Sequence, residues 1–283
     1  MVNEITGHLM QIYNQHSFTE YREPFMGGGA VCFQLLQKLF NPIRKVWIND
    51  LDRGIYAIWW ATINDPGGFK KRIRHFKPST KSFYAFRQEL LDKERLATMD
   101  VLELAMKKLA VHQMSYSGLG TMAGGPIGGK TQKSSRYTVD CRWSPQNVFR
   151  NIDKVNRLLM GKEVTVTCVD YKDVLKDASS ETAVYLDPPY FEKGPELYQF
   201  CFTENDHREL HTILSNANFP WLLSYDDHNT IRELYRGCTI IRVPISYTIK
   251  GIARTFELLI MPPRFATIKQ TELGAYLQSA TKV

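Results

Sequence analysis

The sequence predicts an α/β fold, in which a mostly parallel, doubly wound sheet carries a helical insertion. Short runs rich in β-branched and aromatic residues alternate with amphipathic segments, a pattern typical of parallel sheets. The first unit, residues 21–50, has the order strand, glycine run, helix, strand. A chain of 283 residues with 43% hydrophobic residues is long enough for one large domain with a sizeable insertion.

The N-terminal part of this sheet follows from hydrophobic periodicity. Residues 21–25 form a short strand that runs directly into Gly27-Gly28-Gly29, and residues 44–48 form the next strand. Asp50 then lies at a strand end, about twenty residues past the glycines, where a carboxylate can accept hydrogen bonds from both hydroxyls of a ribose. Helices are predicted at residues 4–16, 30–40 and 51–64.

The middle of the chain is helical and basic. Residues 82–96 and 99–114 are predicted to be amphipathic helices, and they follow a cluster of cations formed by Lys70, Lys71, Arg72, Arg74 and Lys77. Such a cluster fits either a solvated face or contact with a polyanion. Residues 117–143 are rich in glycine and end in the cations Lys130, Lys133, Arg136 and Arg142. A segment of this composition builds no core, so we expect either a disordered insertion or a loop that orders on a ligand.

The sheet resumes after residue 160. Ser144-Pro145 supplies an N-cap and a first-turn proline for a helix that runs to about Met160. Residues 192–202, which contain Gly194-Pro195, are expected to form a mobile loop. The remaining strands are predicted at residues 164–169, 182–186, 221–225, 238–243 and 256–261, and the remaining helices at residues 171–176, 203–216 and 229–235.

The tetrapeptide Asp187-Pro188-Pro189-Tyr190 directly follows the predicted strand 182–186. The exocyclic amine of a nucleobase is a poor nucleophile because its lone pair is delocalised into the ring, so a catalyst has to accept hydrogen bonds from it. The Asp187 carboxylate and the Pro188 carbonyl can each accept one such bond. The two prolines keep the chain extended, and Tyr190 offers an aromatic face for the base. The simpler alternative is a turn whose tyrosine lies in the core.

At these residues the chain resembles the DPPY-type N6-adenine DNA methyltransferases, the class that includes Dam. The resemblance spans about residues 21–261 and follows the family's α arrangement. It is carried by Phe25-Met26-Gly27-Gly28-Gly29-Ala30, Asn49-Asp50-Leu51, Asp170 and Asp187-Pro188-Pro189-Tyr190. It implies a Rossmann-like methyltransferase sheet, mostly parallel with an antiparallel hairpin made of the last two strands, and a helical target-recognition insertion. The implied reaction is methyl transfer from S-adenosylmethionine to N6 of a flipped-out adenine in double-stranded DNA, without a covalent enzyme intermediate.

The resemblance also implies a division of the chain. Residues 1–55 are expected to be the cofactor-binding half of the catalytic domain, and residues 56–160 the basic, helical insertion that recognises the DNA target. Residues 161–265 then form the half of the catalytic domain that contains Asp187, and residues 266–283 form a tail.

The S-adenosylmethionine site implied by the resemblance comprises Phe25, Met26, Gly27, Gly28, Gly29, Asp50, Leu51 and Asp170. The glycine amides approach the methionine part of the cofactor, with a helix N-terminus beyond them. Asp50 binds the ribose, Leu51 packs on the adenine ring, and Asp170 accepts a hydrogen bond from the adenine amine. The local sequence fits Asp170 almost equally well as the cap of the helix at residues 171–176.

Charge and cysteine content indicate the partners. A net charge of +7 and an isoelectric point near 9.1 favour a polyanion. We expect DNA contacts from Lys130, Lys133, Arg136 and Arg142, and from Lys250 and Arg254, which with Tyr247 and Gly251 form a basic loop between the last two strands. Five scattered cysteines include no close pair that would bind zinc, so no metal is expected.

The location and assembly of the chain are also predicted. It contains no apolar run long enough for a signal peptide or a membrane span. We therefore expect a cytoplasmic protein of a bacterium or a phage, associated with DNA and not with a membrane, and present as a monomer or a weak dimer.

Two other functions stay open. N4-cytosine methylation poses the same chemical problem, although that class more often carries Ser at the position of Asp187. The other alternative is a catalytically silent DNA-binding protein with the same fold. It rests on a departure from the family, whose members usually open with a cofactor-binding segment similar to Pro-Gly-Gly-Lys that residues 1–19 do not contain.

Overall fold

The structure, a computed structural model, describes residues 1–133, 135–191, 201–247 and 253–266, and for Ser117 and residues 245–247 and 253–255 it describes the backbone alone. The strands are β1 (Glu20–Glu23), β2 (Lys45–Asn49), β3 (Glu163–Thr167), β4 (Thr182–Leu186), β5 (Trp221–Asp226), β6 (Thr239–Tyr247) and β7 (Ala253–Met261). The α-helices are α1 (Val2–His16), α2 (Ala30–Lys38), α3 (Arg53–Asn64), α4 (Pro66–His75), α5 (Thr80–Leu91), α6 (Lys93–Thr98), α7 (Val101–Met114), α8 (Pro145–Leu159), α9 (Tyr171–Leu175), α10 (Glu204–Ser215) and α11 (Asn229–Leu234).

The described strands form one sheet in the order β3-β2-β1-β4-β5-β7-β6. Strands β1 to β5 pair in parallel, and β7 is antiparallel to both β5 and β6. The predicted α/β fold, mostly parallel with an antiparallel C-terminal hairpin, is confirmed. β1 lies between β2 and β4, with Glu20 opposite both Lys45 and Thr182. Because parallel strands end at a common edge, the segments that follow β1 to β4 converge there.

Two hydrophobic cores cover the two faces of the sheet. Ala183 and Tyr185 of β4 belong to the core that includes α1 and α2, whereas Val184 and Leu186 belong to the core that includes α9, α10 and α11. Successive side chains of a strand point to opposite faces, so β4 is buried on both sides. The end of β4, and with it Asp187, is therefore fixed between two packed layers.

A third core lies among α3, α4, α5, α7 and α8, where Phe69, Phe83 and Leu104 are buried. Even two lysines of α7 are buried there. Lys107 forms ion pairs with Glu89 and Glu103, and the Lys108 ammonium lies 2.5 Å from the Asp52 carboxylate. A buried ammonium requires such a partner. Lys108 thereby connects α7 to the segment that follows β2.

The predicted helix at residues 82–96 is wrong in its extent, since α5 ends at Leu91 and α6 begins at Lys93. Asp92 causes the break, because its Oδ1 accepts hydrogen bonds from the amides of Glu94 and Arg95 at 3.0 and 3.1 Å. Asp100 caps α7 in the same way through the Glu103 amide. Short carboxylates that bind neighbouring amides favour caps over helix interiors, even within an amphipathic pattern.

The expectation that residues 117–143 build no core is wrong for their described part. Ala123, Ile127 and Val139 are buried, and Ser115 pairs with Pro126 in an isolated β-bridge. One side chain closes the turn, because Gln132 donates to the Ile127 carbonyl at 2.8 Å and accepts from the Val139 amide at 2.7 Å. The backbone takes this path through positive φ at Gly118, Gly120, Gly128 and Gly129.

The C-terminal hairpin is longer than predicted. Tyr247 pairs with Ala253, and Ser246 pairs with Arg254, so Tyr247 and Arg254 lie in strands and not in the predicted basic loop. Pro244 ends the hydrophobic pattern in the sequence, yet β6 is an edge strand of the described sheet, where a proline is tolerated. Lys250 and Gly251 fall outside the described residues, as do residues 192–200 of the predicted loop.

Candidate active site at the carboxyl edge of the sheet

Asp187 leaves the buried end of β4, and its carboxylate contacts the next strand. The Ser224 hydroxyl of β5 donates to Asp187 Oδ1 at 2.8 Å, and the Tyr185 hydroxyl lies 2.9 Å from Ser224 Oγ. Among the described residues nothing donates to Asp187 Oδ2 or to the Pro188 carbonyl. Burial, opposed by the Ser224 bond and assisted by the charge of Glu257, raises the pKa of Asp187 to about 6. The two acceptors predicted for an amine are therefore both available.

The residues that follow Asp187 are also held by β5 and β7. The Tyr190 hydroxyl donates to Glu257 Oε1 at 2.8 Å. One residue later, the Phe191 amide donates to Asp226 Oδ1 at 3.0 Å, and the Phe191 ring stacks on His228 with a centroid distance of 4.6 Å. Polar side chains of the neighbouring strands thus fix the course of the tetrapeptide. Tyr190 is partly exposed, so its ring is not a core residue as the turn alternative would require.

Asp50 closes the glycine loop after β1. Its Oδ2 accepts from the Gly27 amide and its Oδ1 from the Asp52 amide, both at 2.8 Å. The Trp59 indole donates to the Gly27 carbonyl at 2.9 Å, and the Gly29 amide donates to the Met26 carbonyl at 2.8 Å. Burial raises the pKa of Asp50 to about 6, against the effect of its two amide donors. The Gly27 and Gly29 amides, predicted to face a cofactor, therefore already donate to Asp50 and to the Met26 carbonyl.

The surface around Asp50 fits the methionine and nucleoside parts of S-adenosylmethionine. Gly27 and Gly28 are exposed, and a Cβ placed on either would meet no atom within 4 Å, which leaves room for a ligand against the backbone. Leu51 is 44% exposed beside the carboxylate, an apolar surface suited to an aromatic ring. Met26 is buried and can contribute only its backbone, while Phe25 packs on Tyr171 and Phe202.

Asp170 caps a helix. It lies at the N-terminus of α9, where its Oδ1 accepts from the Lys172 amide at 2.9 Å. Asp170 follows β3 and lies at the same edge of the sheet as Asp50. Asn49, the last residue of β2, connects the segment after β2 to the segment after β3. Its side chain donates to the Val169 carbonyl and accepts from the Val169 amide, each at 3.0 Å. The capping interpretation of Asp170 is confirmed, and its contact with an adenine amine stays a prediction.

Sequence reasoning missed Glu23, the last residue of β1. It is 2% exposed, and the Tyr21 hydroxyl donates to its Oε2 at 2.8 Å. Burial is the main cause that raises its pKa to about 8, and the nearby charges of Asp187 and Asp50 raise it further. Glu23 therefore lies between the two predicted halves of the site, where burial favours its protonated form. An acid within a buried strand was the signal that could have identified it.

We expect the stability of the protein to fall as the pH rises from about 4.5 to about 8, because Glu23 binds its proton more tightly in the folded state than in the unfolded chain. Glu23→Gln keeps the shape of the protonated acid and removes this loss, on the order of a few kcal/mol at pH 8. Thermal unfolding at pH 5 and pH 8 measures it: the variant's advantage in Tm should be larger at pH 8. The same difference at both pH values would contradict this assignment.

The cations of residues 117–143 are placed for solvent contact. Lys130, Lys133, Arg136 and Arg142 are all exposed, and no ion pair within the described chain includes them. The earlier cluster differs, because Lys70 pairs with Asp153, and Arg72 lies 3.1 Å from Asp100. No group of His, Cys, Asp and Glu in the described ranges could hold a metal ion. The described helices include none that could span a membrane.

Several known proteins are similar to this chain over most of its length. Type II methyltransferase M.MjaIII of Methanocaldococcus jannaschii is 25% identical over 287 residues, which cover 92% of this chain and 94% of that protein. Type II methyltransferase M1.LlaDCHI of Lactococcus lactis subsp. cremoris is 21% identical and covers 84% of this chain and 83% of its own length. Among solved structures, the rRNA methyltransferase aviRa from Streptomyces viridochromogenes aligns over 92% of this chain and 84% of its own, with a TM-score of 0.39 and 14% identity.

The family comparison covers nearly the whole chain. The model of the D12 class N6 adenine-specific DNA methyltransferases matches residues 2–249, a range that includes the glycine loop, Asp50, Asp170 and the Asp187 tetrapeptide. The chain therefore belongs to the D12 class of N6 adenine-specific DNA methyltransferases, and its reaction is the methylation of adenine N6 in DNA.

Proposed function

We propose that the chain methylates a flipped-out adenine in double-stranded DNA and that the residues at the carboxyl edge of the sheet perform this reaction. The observation that carries the proposal is the combination of two acceptors, Asp187 Oδ2 and the Pro188 carbonyl, which no described donor occupies, with the open glycine loop and Asp50 at the same edge. The segment after β4 presents acceptors for an amine, and the segment after β2 presents a carboxylate and an apolar face for a nucleoside.

The cofactor would be held by the segments that follow β1, β2 and β3. Asp50 accepts hydrogen bonds from the ribose hydroxyls, the exposed Leu51 packs on the purine, and Asp170 accepts from the purine amine. Gly27 and Gly28 have no side chain, so the cofactor can lie against their backbone in space that a larger residue would fill. When bound there, S-adenosylmethionine supplies an electrophilic methyl group.

The substrate amine would be held by the segment that follows β4. Asp187 Oδ2 and the Pro188 carbonyl each accept one N–H, which draws the N6 lone pair out of the ring and directs it towards the methyl donor. Ser224 keeps the Asp187 carboxylate in place from its other oxygen. Pro189 keeps the chain extended towards Tyr190, whose partly exposed ring supports the base after it leaves the duplex, offsetting part of the cost of unstacking.

Residues 56–160 would recognise the DNA target, with Lys130, Lys133, Arg136 and Arg142 as contacts, and Lys250 and Arg254 would make further contacts. Support comes from the exposure of the first four cations and from the absence of ion pairs to them among the described residues. An exposed cation outside any ion pair can neutralise a phosphate without first breaking a salt bridge.

We expect the combined change Lys130→Ala, Lys133→Ala and Arg136→Ala to weaken binding to any duplex and to leave cofactor affinity unchanged. Each phosphate that the variant no longer neutralises lowers the slope of log affinity against log salt by roughly 0.9. Fluorescence anisotropy with a labelled duplex at several salt concentrations measures this slope. An unchanged salt slope with methylation of additional sequences would assign these residues to base reading, and an unchanged enzyme on both counts would make the segment a linker.

A matched control removes the same charge elsewhere. Three exposed cations lie on or beside α9, α10 and α11, which cover the face of the sheet opposite α1 and α2: Lys176, Arg208 and Arg236. Their combined replacement by Ala should leave both the salt slope and the activity near wild type. A decrease in affinity equal to that of the first triple variant would mean that net charge alone sets the affinity.

Product analysis tests the proposed function directly. A duplex incubated with the protein and labelled S-adenosylmethionine is digested to nucleosides, and we expect N6-methyladenine. N4-methylcytosine would identify the other amine chemistry, and cofactor binding without any methylated product would identify a silent DNA-binding protein. We further propose a cytoplasmic monomer or weak dimer that serves in a restriction–modification system, and light scattering after size exclusion would measure its oligomeric state.

A further inference from the structure

Glu257 contacts the tyrosine of the tetrapeptide from a different part of the sheet. It lies in β7, opposite Asp226 of β5, and its Oε1 accepts a hydrogen bond from the Tyr190 hydroxyl at 2.8 Å. It stands in the run Phe256-Glu257-Leu258-Leu259, where it is 8% exposed. Burial of a carboxylate in a hydrophobic strand costs free energy unless hydrogen bonds satisfy it. Packing alone therefore does not account for an acid at this position.

We propose that Glu257 is a positioning residue for the target base, which acts by holding the Tyr190 ring in the orientation on which the flipped adenine stacks. The inference rests on the proposed function, since it assigns a means of control to the same site. The hydroxyl of a tyrosine lies on the long axis of the ring, so a bond to it fixes the direction of that axis. Tyr190 also follows two prolines, which lack the N–H groups that could bind the backbone to a neighbouring strand.

The neighbouring contacts show that this edge of the sheet is built to hold the tetrapeptide. Ser224 and Asp226 of β5 bind the Asp187 carboxylate and the Phe191 amide, on either side of Tyr190. Glu257 adds a third contact from β7. The Tyr190 ring is held at its backbone by these contacts and at its hydroxyl by Glu257, so it loses little conformational freedom when the base binds. Preorganisation of this kind lowers the free-energy cost of binding.

Two substitutions remove the same hydrogen bond from opposite sides. Tyr190→Phe keeps the aromatic face and removes the hydroxyl, and Glu257→Leu removes the acceptor. We expect each to lower the single-turnover rate of methylation about tenfold, as for the loss of a hydrogen bond to a charged group. The double variant should be no slower than the slower single variant by more than about twofold, because both changes act through one bond. S-adenosylmethionine affinity, measured by calorimetry, should not change.

Glu257→Gln and a second tyrosine provide the controls. Gln retains an acceptor for the Tyr190 hydroxyl, so it should restore the rate to within about threefold of wild type. Tyr235→Phe removes a buried hydroxyl for which no partner is found in the described chain, and it should leave the rate unchanged. Thermal unfolding checks each variant. If Glu257→Leu does not fold, Tyr190→Phe and Glu257→Gln still decide the question.

Additive effects in the double variant, or a wild-type rate for Tyr190→Phe, would overturn the role of Glu257. Failure of the proposed function gives a different result, because the wild-type chain would then form no N6-methyladenine, or Asp187→Ala would keep the wild-type rate, whatever Glu257 does. A Glu257→Gln variant as slow as Glu257→Leu would also overturn the inference, since the charge and not the hydrogen bond would then control the rate.

Discussion

Replacement of Asp187 by Ala is expected to lower the single-turnover rate of methyl transfer by about 10²- to 10³-fold, the usual cost of removing one group that stabilises a transition state by hydrogen bonding. The affinity for S-adenosylmethionine should stay within about tenfold of wild type, because we propose that Asp187 binds the substrate amine and that Asp50 binds the cofactor. Rapid-quench measurement with labelled cofactor and calorimetric titration give the two quantities. A near-normal rate would exclude the proposed role.

Two related variants sharpen this test. Ser224→Ala removes the donor to Asp187 Oδ1 and leaves the carboxylate in place, so its loss of rate should be smaller than that of Asp187→Ala. Asp187→Asn keeps the size of the side chain. It should also be slow, since an amide retains one acceptor and turns a donor towards the amine.

The ionisation of Asp187 gives a pH dependence with a definite sign. Burial raises the pKa of Asp187 to about 6. In the proposed complex the ionised carboxylate accepts a hydrogen bond from the amine at Oδ2, whereas the protonated acid can place an O–H donor there. The rate at low substrate should therefore rise as the pH increases through about 6. This rise should be absent from the residual activity of Asp187→Asn.

The fold was predictable where local signals agree. The glycine loop after β1, the Ser144 cap with Pro145 before α8, and the buried run of β4 each combine a hydrophobic pattern with turn or cap chemistry, and all three lie where the sequence places them. The helix break at Asp92 was missed because the amphipathic pattern continues across it. A capping carboxylate there outweighs the pattern through two short hydrogen bonds.

The candidate site was predictable only in part, because its acids are brought together by the fold. Asp187 and Asp50 stand directly after strands and could be named from their position. Ser224 and Glu257 are 37 and 67 residues away in sequence from Asp187 and Tyr190, which they contact. Ser224 contacts Asp187 because β5 pairs with β4, and Glu257 contacts Tyr190 because β7 lies between β5 and β6; no local pattern specifies either pairing.

Replacement of Asp50 by Ala should weaken S-adenosylmethionine binding roughly 10- to 100-fold. Two effects combine: the ribose hydroxyls lose their acceptor, and the amides of Gly27 and Asp52 lose the carboxylate that closes the loop. Asp50→Asn should fall in the same range, since its amide group would place a donor against one of those two N–H groups. Calorimetry with S-adenosylmethionine measures both variants.

DNA affinity and a distant acid make the Asp50 test specific. Binding of a duplex without cofactor should be unchanged, because the Asp50 carboxylate accepts its two described hydrogen bonds from the segments that follow β1 and β2. Glu181→Ala removes an exposed carboxylate directly before β4, at the opposite edge of the sheet, and should leave cofactor affinity at the wild-type value. If Asp50→Ala bound the cofactor as tightly as wild type, the carboxylate would serve the loop alone, and the nucleoside would have to bind elsewhere along the edge. A parallel decrease in DNA affinity would instead show that the glycine loop and the insertion respond together, through the Lys108 contact with Asp52.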